Sequence, residues 1–371
     1  MMRVAHLTTV HPQDDTRIFQ RMCRSLADHG YDTHLVVPTA RGESEYTLHG
    51  VHIHSVKLPR NRRERFGQAR RDVARVAAKL QADIYHFHDP ELMRVGLGLR
   101  HQARVIYDAH EDVATDILIK AWIPSPLRRV IAAAATAFEA YGCRRLAGVV
   151  AAGEDIAERL RTIRPDVTCI RNYPDLRAFE RPTDDELPAP SDEHRFLFLG
   201  GVDASTLPFD VATALDMLPE ELHAKMVWGG KRAIGPRMEM LEQHPGWRRV
   251  DYVGYIQFED LRKHLYAATA ALVLYHDAPF CYRIRSNRLF ESMACGVPVI
   301  VPRFGEWPAF VDKYQCGLAV NPHEPGELAA AMRRFIEEPT LRDAMGQRGK
   351  QAVLNEFSWQ REFTKLETLY R

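Results

Sequence analysis

Three arginines, Arg283, Arg285 and Arg288, stand just ahead of or on the first turn of a predicted helix, and Glu291 follows deeper in it. Ser286 is placed to cap that helix and Asn287 to open it. Leu289, Phe290, Met293 and Ala294 recur at helical spacing and form its buried stripe. Gly296 and Pro298 end it. The positive end of the helix dipole, free backbone N–H groups and guanidinium forks converge there, which suits a doubly charged phosphate group. A carboxylate a turn deeper can accept hydrogen bonds from a ribose diol. Together they read as half of a nucleotide-diphosphate site.

Other residues offer different chemistry. Gly200 and Gly201 end a strand and open a turn, where backbone can approach a phosphate closely, although such turns also use glycine for geometry alone. His110 ends another strand, and its imidazole can hydrogen-bond a substrate hydroxyl; Glu111 beside it is the weaker candidate. His86 and His88 are two apart and share a strand face. His-x-His-Asp resembles a metal pair, but spacing supplies no third ligand, so no metal is expected. Asp14, Asp15 and Arg17 lie in the loop after the first strand. Arg17 suits a phosphate or acid group on an acceptor; equally, Asp15 or Thr16 caps the next helix.

The elements that carry these residues alternate. Strands are expected at 4–8, 33–37 (ended by Pro38), 84–88, 105–107, 147–151 and 168–170, with a helix over 17–29. Alternation restarts at 195–201 and continues with strands at 225–228, 249–253, 271–275, 299–301 and 318–320. Helices at 326–337, 339–357 and 359–370 close the chain. Strands alternating with helices imply parallel sheets. Residues 181–194, rich in proline and acid, have linker composition. The expected organisation is therefore a Rossmann-like domain over 1–180, a linker over 181–194 and a second Rossmann-like domain over 195–357. A helix over 358–371 crosses back to the first. Ligands in such sheets bind at the C-terminal strand ends, so the cleft between the domains is the expected site.

The 371 residues are too many for one ordinary core and suit two domains. A net charge of +1 argues against bulk nucleic-acid binding. No Gly-x-Gly-x-x-Gly follows the first strand, which disfavours a dehydrogenase. The six cysteines show no paired spacing and read as reduced thiols. No apolar run approaches the roughly 20 residues needed to cross a bilayer, and no leader is visible, so a cytoplasmic location is expected. Arg60 to Lys79 is strongly basic, and 117–129 combines Ile119, Trp122, Ile123 and Leu127 with Lys120, Arg128 and Arg129. That face suits anionic lipid, although a solvated helix has similar composition.

Several segments resemble the family 4 glycosyltransferases of the GT-B fold, above all bacterial enzymes of surface-polysaccharide assembly. They are His11-Pro-Gln-Asp-Asp-Thr-Arg-Ile-Phe, Tyr85-His-Phe-His-Asp-Pro-Glu-Leu, Tyr107-Asp-Ala-His-Glu, Arg171-Asn-Tyr-Pro-Asp, Phe198-Leu-Gly-Gly, Val253-Gly-Tyr-Ile and Asn287 to Ile300. The resemblance implies an α/β protein of two doubly wound domains. Such an enzyme moves a sugar from a nucleotide diphosphate sugar, held mainly by the C-terminal domain, to a saccharide or lipid-linked saccharide on the N-terminal domain. It implies retention of configuration, no cofactor and no metal, with the leaving phosphate accepting the acceptor's proton. Glu291 matches the second glutamate of the family's Glu-x7-Glu motif, and Arg288 a position often lysine, facing the diphosphate. The first glutamate would fall at 283, where this chain has Arg283. Relatives also carry an arginine and a lysine after the glycine turn, and 202–210 have neither. Arg283 or Arg285 is expected to supply that charge.

Taken together, these readings assign catalysis to His110, which the resemblance supports, and to Arg283, which departs from it. The donor falls to Gly200, Gly201, Arg285, Ser286, Asn287, Arg288, Leu289 and Glu291. The acceptor falls to Asp15, Arg17, His88 and Glu111. The rival readings are a nucleotide-sugar epimerase or hydrolase on the same fold, and a binding-only subunit.

Overall fold

The computed structural model describes every residue except 121, 190, 202–206, 233–234, 279–280 and 285, together with the side chain of Ile119. The chain forms two compact units, Met1–Asn172 with Arg361–Arg371, and Tyr173–Gln360.

The first unit carries an eight-stranded sheet of β1 (Arg3–Leu7), β2 (Asp32–Thr39), β3 (Ser44–Leu48), β4 (Val51–Lys57), β5 (Ile84–Phe87), β6 (Arg104–Ala109), β7 (Gly148–Ala151) and β8 (Thr168–Cys169). Their spatial order is β3-β4-β2-β1-β5-β6-β7-β8. All neighbours pair in parallel except β3 with β4. Strands buried on both faces read as apolar runs, which is why β5 and β7 are buried throughout. Histidine in such strands is exceptional, and β1 and β5 place His6 directly opposite His86. The order reverses between β1 and β5, so their C-terminal ends form the crevice of this sheet.

The β3–β4 hairpin lies outside the sequence reading. Its turn is His49-Gly50, with φ of 48° and 77°, between the paired residues Leu48 and Val51. Two central residues at positive φ make the tight turn that suits a right-twisted hairpin. Pro38 does not end its strand, because β2 pairs with β4 through Thr39. The helix after β1 runs over Thr16–Cys23 and Arg24–Asp28, with Asp15 as its cap.

The second unit carries a six-stranded parallel sheet of β9 (His194–Leu199), β10 (Ala224–Gly229), β11 (Val250–Gly254), β12 (Ala270–Leu272), β13 (Val299–Pro302) and β14 (Gly317–Val320). Its order is β11-β10-β9-β12-β13-β14, reversing between β9 and β12. Trp228, Phe196 and Phe198 centre one core layer, and Leu289, Met293 and Val299 the other.

The unit boundary differs from the composition-based one. It falls at Asn172, and the proline-rich segment packs into the second unit. Thr183 caps a short turn over Asp184–Glu186, while Arg262 holds Glu186 at 3.2 Å and Tyr266 donates to the Phe179 carbonyl at 3.0 Å. Local capping and one ion pair order a stretch whose composition looked like a tether. The final helix is Trp359–Tyr370, and from Arg361 it belongs to the first unit.

Candidate functional site

In the second unit the site gathers at the β9/β12 reversal. Ser286 precedes the Asn287–Ala294 helix but makes no side-chain cap; its hydroxyl accepts instead from Tyr275 at 3.1 Å. Arg288 donates to the Leu199 carbonyl at the end of β9, and to the Tyr275 hydroxyl at 2.7 Å. The guanidinium is therefore braced over the crevice beside Gly200 and Gly201. Gly200 has φ 147°, and Trp228 donates to its carbonyl at 2.6 Å. Glu291 is buried one turn in. Leu289 is wholly buried in the core, so its side chain cannot meet a ligand, and only its backbone stays available. Arg283 lies on an exposed turn, whereas its neighbour Ile284 is buried and donates its N–H to Glu306 at 3.1 Å. Arg285 lies outside the described residues.

Sequence reasoning missed the second glycine pair. Gly229 and Gly230 end β10 and are followed by Lys231 and Arg232. A Cβ on Gly201 would sit 3.4 Å from the Lys231 carbonyl, so the two glycine turns run side by side. Arg232 pairs with Glu242, while Lys231 is exposed. The main chain of Lys231 thus adjoins the Gly200 turn, bringing in a cationic residue although 202–210 contain none; the repeated Gly-Gly at a strand end was the available signal. A Cβ on Gly230 would fall 2.1 Å from the Gly200 carbonyl oxygen. Gly230→Ala is therefore expected to force the turns apart and to cost about 1–3 kcal/mol, read as a lower midpoint in urea unfolding.

In the first unit the crevice between β1 and β5 is lined with histidine and acid. Asp108, fully buried, receives Arg17 through Nε and Nη2, both at 2.8 Å. Burial alone would raise the Asp108 carboxyl, but Arg17 and the flanking histidines hold it well below the usual range. Arg17 spends its Nη1 on the Ile170 carbonyl at 2.8 Å and Asn172 at 2.7 Å. It is 3% exposed. The acceptor-binding expectation for Arg17 is thereby corrected: its donors are committed inside the fold. Asp15 likewise serves as the cap, accepting the N–H groups of Arg17 and Ile18 at 2.9 and 2.8 Å.

Asp108 Oδ2 also meets His88 Nδ1 and His110 Nε2, each at 3.2 Å, and these two nitrogens are 3.1 Å apart. Burial holds His6 and His88 well below the ordinary histidine range and brings His86 down to about 4. His11, another residue that sequence reasoning left out, packs 4.8 Å from the His110 ring. Burial pulls its pKa down, yet the hydrogen bond to Asp15 at 3.1 Å and the charge of Asp89 outweigh this and raise it. His110 and Glu111 open onto a cavity of about 560 Å³, and His88 lies in its floor. His88 is buried with both ring nitrogens engaged, by His6 on one side and Asp108 and His110 on the other, so the acceptor-binding expectation for it is corrected. The cavity walls include Phe66, Met93, Trp122 and Phe138, with Arg62, Arg70 and Arg94 among the cations and Glu111 and Asp116 among the acids that line it. The crevice can thus hold a polar group against His110 and an apolar group beyond, with arginine side chains available to an anionic group.

The sequence matches two families: Glycosyltransferase Family 4 over residues 16–177, and Glycosyl transferase-like over residues 213–368. Among curated proteins, a D-inositol 3-phosphate glycosyltransferase of Corynebacterium jeikeium is 30% identical over 165 residues, 43% of this chain and 38% of that protein. A glycogen synthase of Mycobacterium tuberculosis is 25% identical over 133 residues, 36% of this chain and 31% of that protein. The chain thus spans less than two fifths of the length of these relatives. Among solved structures, sucrose-phosphate synthase from Thermosynechococcus elongatus superposes with TM-score 0.76 at 20% identity, covering 100% of this chain and 98% of that one. Anabaena HepE in complex with UDP and glucose gives TM-score 0.69 at 14% identity, with both chains covered fully. The two parallel-sheet units thus share the GT-B fold of these structures, and each is matched by a glycosyltransferase family, Family 4 in the first and Glycosyl transferase-like in the second.

Proposed function

We propose that this protein transfers a glycosyl group from a nucleotide diphosphate sugar to a saccharide acceptor, with retention of configuration and without a metal. The observation that carries the reading is Arg288, braced by Leu199 and Tyr275 beside two adjoining glycine turns and Lys231. Two cations and the N-terminal end of a helix can take up the charge of a departing diphosphate, the role a metal would otherwise fill. Glu291 binds the ribose. Anabaena HepE, of the same fold, is solved with UDP and glucose, so a uridine diphosphate sugar is the first donor to try.

The acceptor is lipid-linked, of the kind used in cell-surface polysaccharide assembly, and sits against His110. Support comes from the cavity's apolar walls and lining arginines, and from the Ser125–Cys143 helix. That helix exposes Leu127, Val130, Ile131, Phe138 and Tyr141. No described helix is long and apolar enough to cross a membrane. The exposed apolar face beside the arginines of the cavity suits the surface of an anionic bilayer at the inner face of the plasma membrane.

The test is a transfer assay with a panel of nucleotide sugars. It compares a soluble saccharide, a lipid diphosphate saccharide in anionic vesicles, and no acceptor. Transfer should be fastest to the vesicle-borne acceptor and nearly absent without one. Arg288→Ala should weaken binding of the nucleoside diphosphate by roughly tenfold or more, while Arg288→Lys keeps part of it. Sugar release at the same rate without acceptor would favour a hydrolase instead. Binding without turnover across the panel would favour a binding subunit.

A further inference from the structure

Behind His110 the buried residues form one hydrogen-bonded line that ends on the last helix. The Tyr370 hydroxyl lies 2.7 Å from His86 Nδ1 and 3.2 Å from His6 Nε2. His6 Nδ1 is 2.9 Å from His88 Nε2, and His88 Nδ1 reaches Asp108 and His110. Tyr370, His6 and His86 are all 0% exposed.

The far end gives the line its direction. His86 Nε2 is buried and has no hydrogen-bond partner among the described residues. A neutral imidazole carries one N–H, and a buried N–H left unbonded is costlier than a bare lone pair. The proton therefore sits on Nδ1 and is donated to the Tyr370 oxygen. Tyr370 then gives its own proton to His6 Nε2, which leaves the His6 proton on Nδ1, facing His88 Nε2. His88 in turn must carry its proton on Nδ1, pointing at Asp108. Asp108 is ionised and bound by Arg17, so it is a stronger acceptor than a neutral imidazole nitrogen. It takes the N–H of His88 and the Nε2–H of His110 together, and the ring nitrogen of His110 left bare is Nδ1.

We propose that Tyr370 is a positioning residue. Through His6 and His88 it fixes His110 as the Nε2–H tautomer, so that the Nδ1 lone pair is left to accept a hydrogen bond from a hydroxyl of the bound acceptor, whose proton passes to the leaving phosphate. The role in transfer rests on the function proposed above; the tautomer does not. His86, His88 and Asp108 also bring three ligand atoms within 4.8 Å of one another. A cation there would face the Arg17 guanidinium, and it would turn N–H groups of both His86 and His6 onto the Tyr370 oxygen, leaving the phenol proton without an acceptor. The relay leaves every N–H and O–H in the line bonded.

Long-range 1H–15N spectra of the full chain, labelled with 15N-histidine, report which ring nitrogen of each histidine holds the proton. The wild-type protein should show His110 as Nε2–H. Tyr370→Phe should give mixed tautomers at His88 and His110 and lower kcat about tenfold, with KM for the donor changed less than twofold. His6→Asn in that background places an amide N–H where His6 Nδ1 stood, and should restore the single tautomer and most of kcat even if Tyr370→Phe alone folds poorly. A tautomer change without a kcat change would uphold the relay and remove the acceptor role of His110. An Nδ1–H His110 in the wild type, spectra unchanged by Tyr370→Phe, or a stoichiometric bound metal would overturn the relay.

Discussion

Asp108→Ala should cost the first unit about 3–5 kcal/mol, the loss expected when one partner of a buried ion pair is removed and the other stays. Arg17 would remain nine-tenths buried with both of its carboxylate bonds gone, and His88 and His110 would lose their common acceptor. For a unit of this size that corresponds to a fall in unfolding temperature of roughly 6–20 °C. Asp108→Asn should do little better, because its amide N–H₂ would face a guanidinium that only donates. Arg17→Met combined with Asp108→Leu separates the ion pair from mere volume. Removing both charges should recover most of the loss, since a buried pair replaced by apolar groups is often near neutral. Calorimetry on the four proteins decides. A single Asp108→Ala within 1 °C of wild type would mean that water enters and that the pair is not buried as described.

The second large effect is acid lability above the range in which carboxylates titrate. His6, His86 and His88 are neutral in the folded chain because burial opposes their charge. In the unfolded chain they take up protons below about pH 6.5. The unfolded state therefore binds more protons, and stability falls as pH falls. It is fully present above about 6.5 and is lost down to the folded values. His86 alone, brought from 6.5 to about 4, accounts for about 3 kcal/mol across that window. His6 and His88 act in the same sense. His11 opposes them: its pKa is raised, so its contribution is present at low pH and fades as pH rises through its folded value. Asp89, raised by burial, also takes a proton more readily when folded and offsets part of the loss near pH 4. Asp108, held low, contributes nothing to the slope until more acid conditions. Urea midpoints measured from pH 8 to 5 should be flat above 7 and fall steeply below 6.5, and His86→Phe should flatten the slope. A midpoint constant to pH 5 would rule out the buried neutral triad.

Much of the architecture is legible without coordinates because it rests on short-range pattern. Apolar runs alternating with helical periodicity mark both sheets, and the stripe Leu289, Phe290, Met293 and Ala294 is buried as its spacing requires. The hairpin at β3 and β4 escaped because alternating histidines mask its apolar face, although His49-Gly50 was a readable turn. Residues 181–194 have linker composition yet group with the second unit, since composition does not register one capping residue and one ion pair.

The site divides along the same line. The placement of residues carried by their own helix or turn, such as Arg288, Glu291 and Gly200, follows from spacing, because the element itself brings them to the strand end. Arg17 was assigned to an acceptor and is instead spent on Asp108, 91 residues away. Lys231 reaches the Gly200 turn only because β10 lies beside β9. Tyr370 meets His6 across 364 residues of chain. By itself the sequence determined which local elements form and which of them end in charge, since propensity and periodicity act within a few residues. Strand order and register decided which buried charges and imidazoles share a partner, because a buried polar group must find that partner wherever the fold brings one.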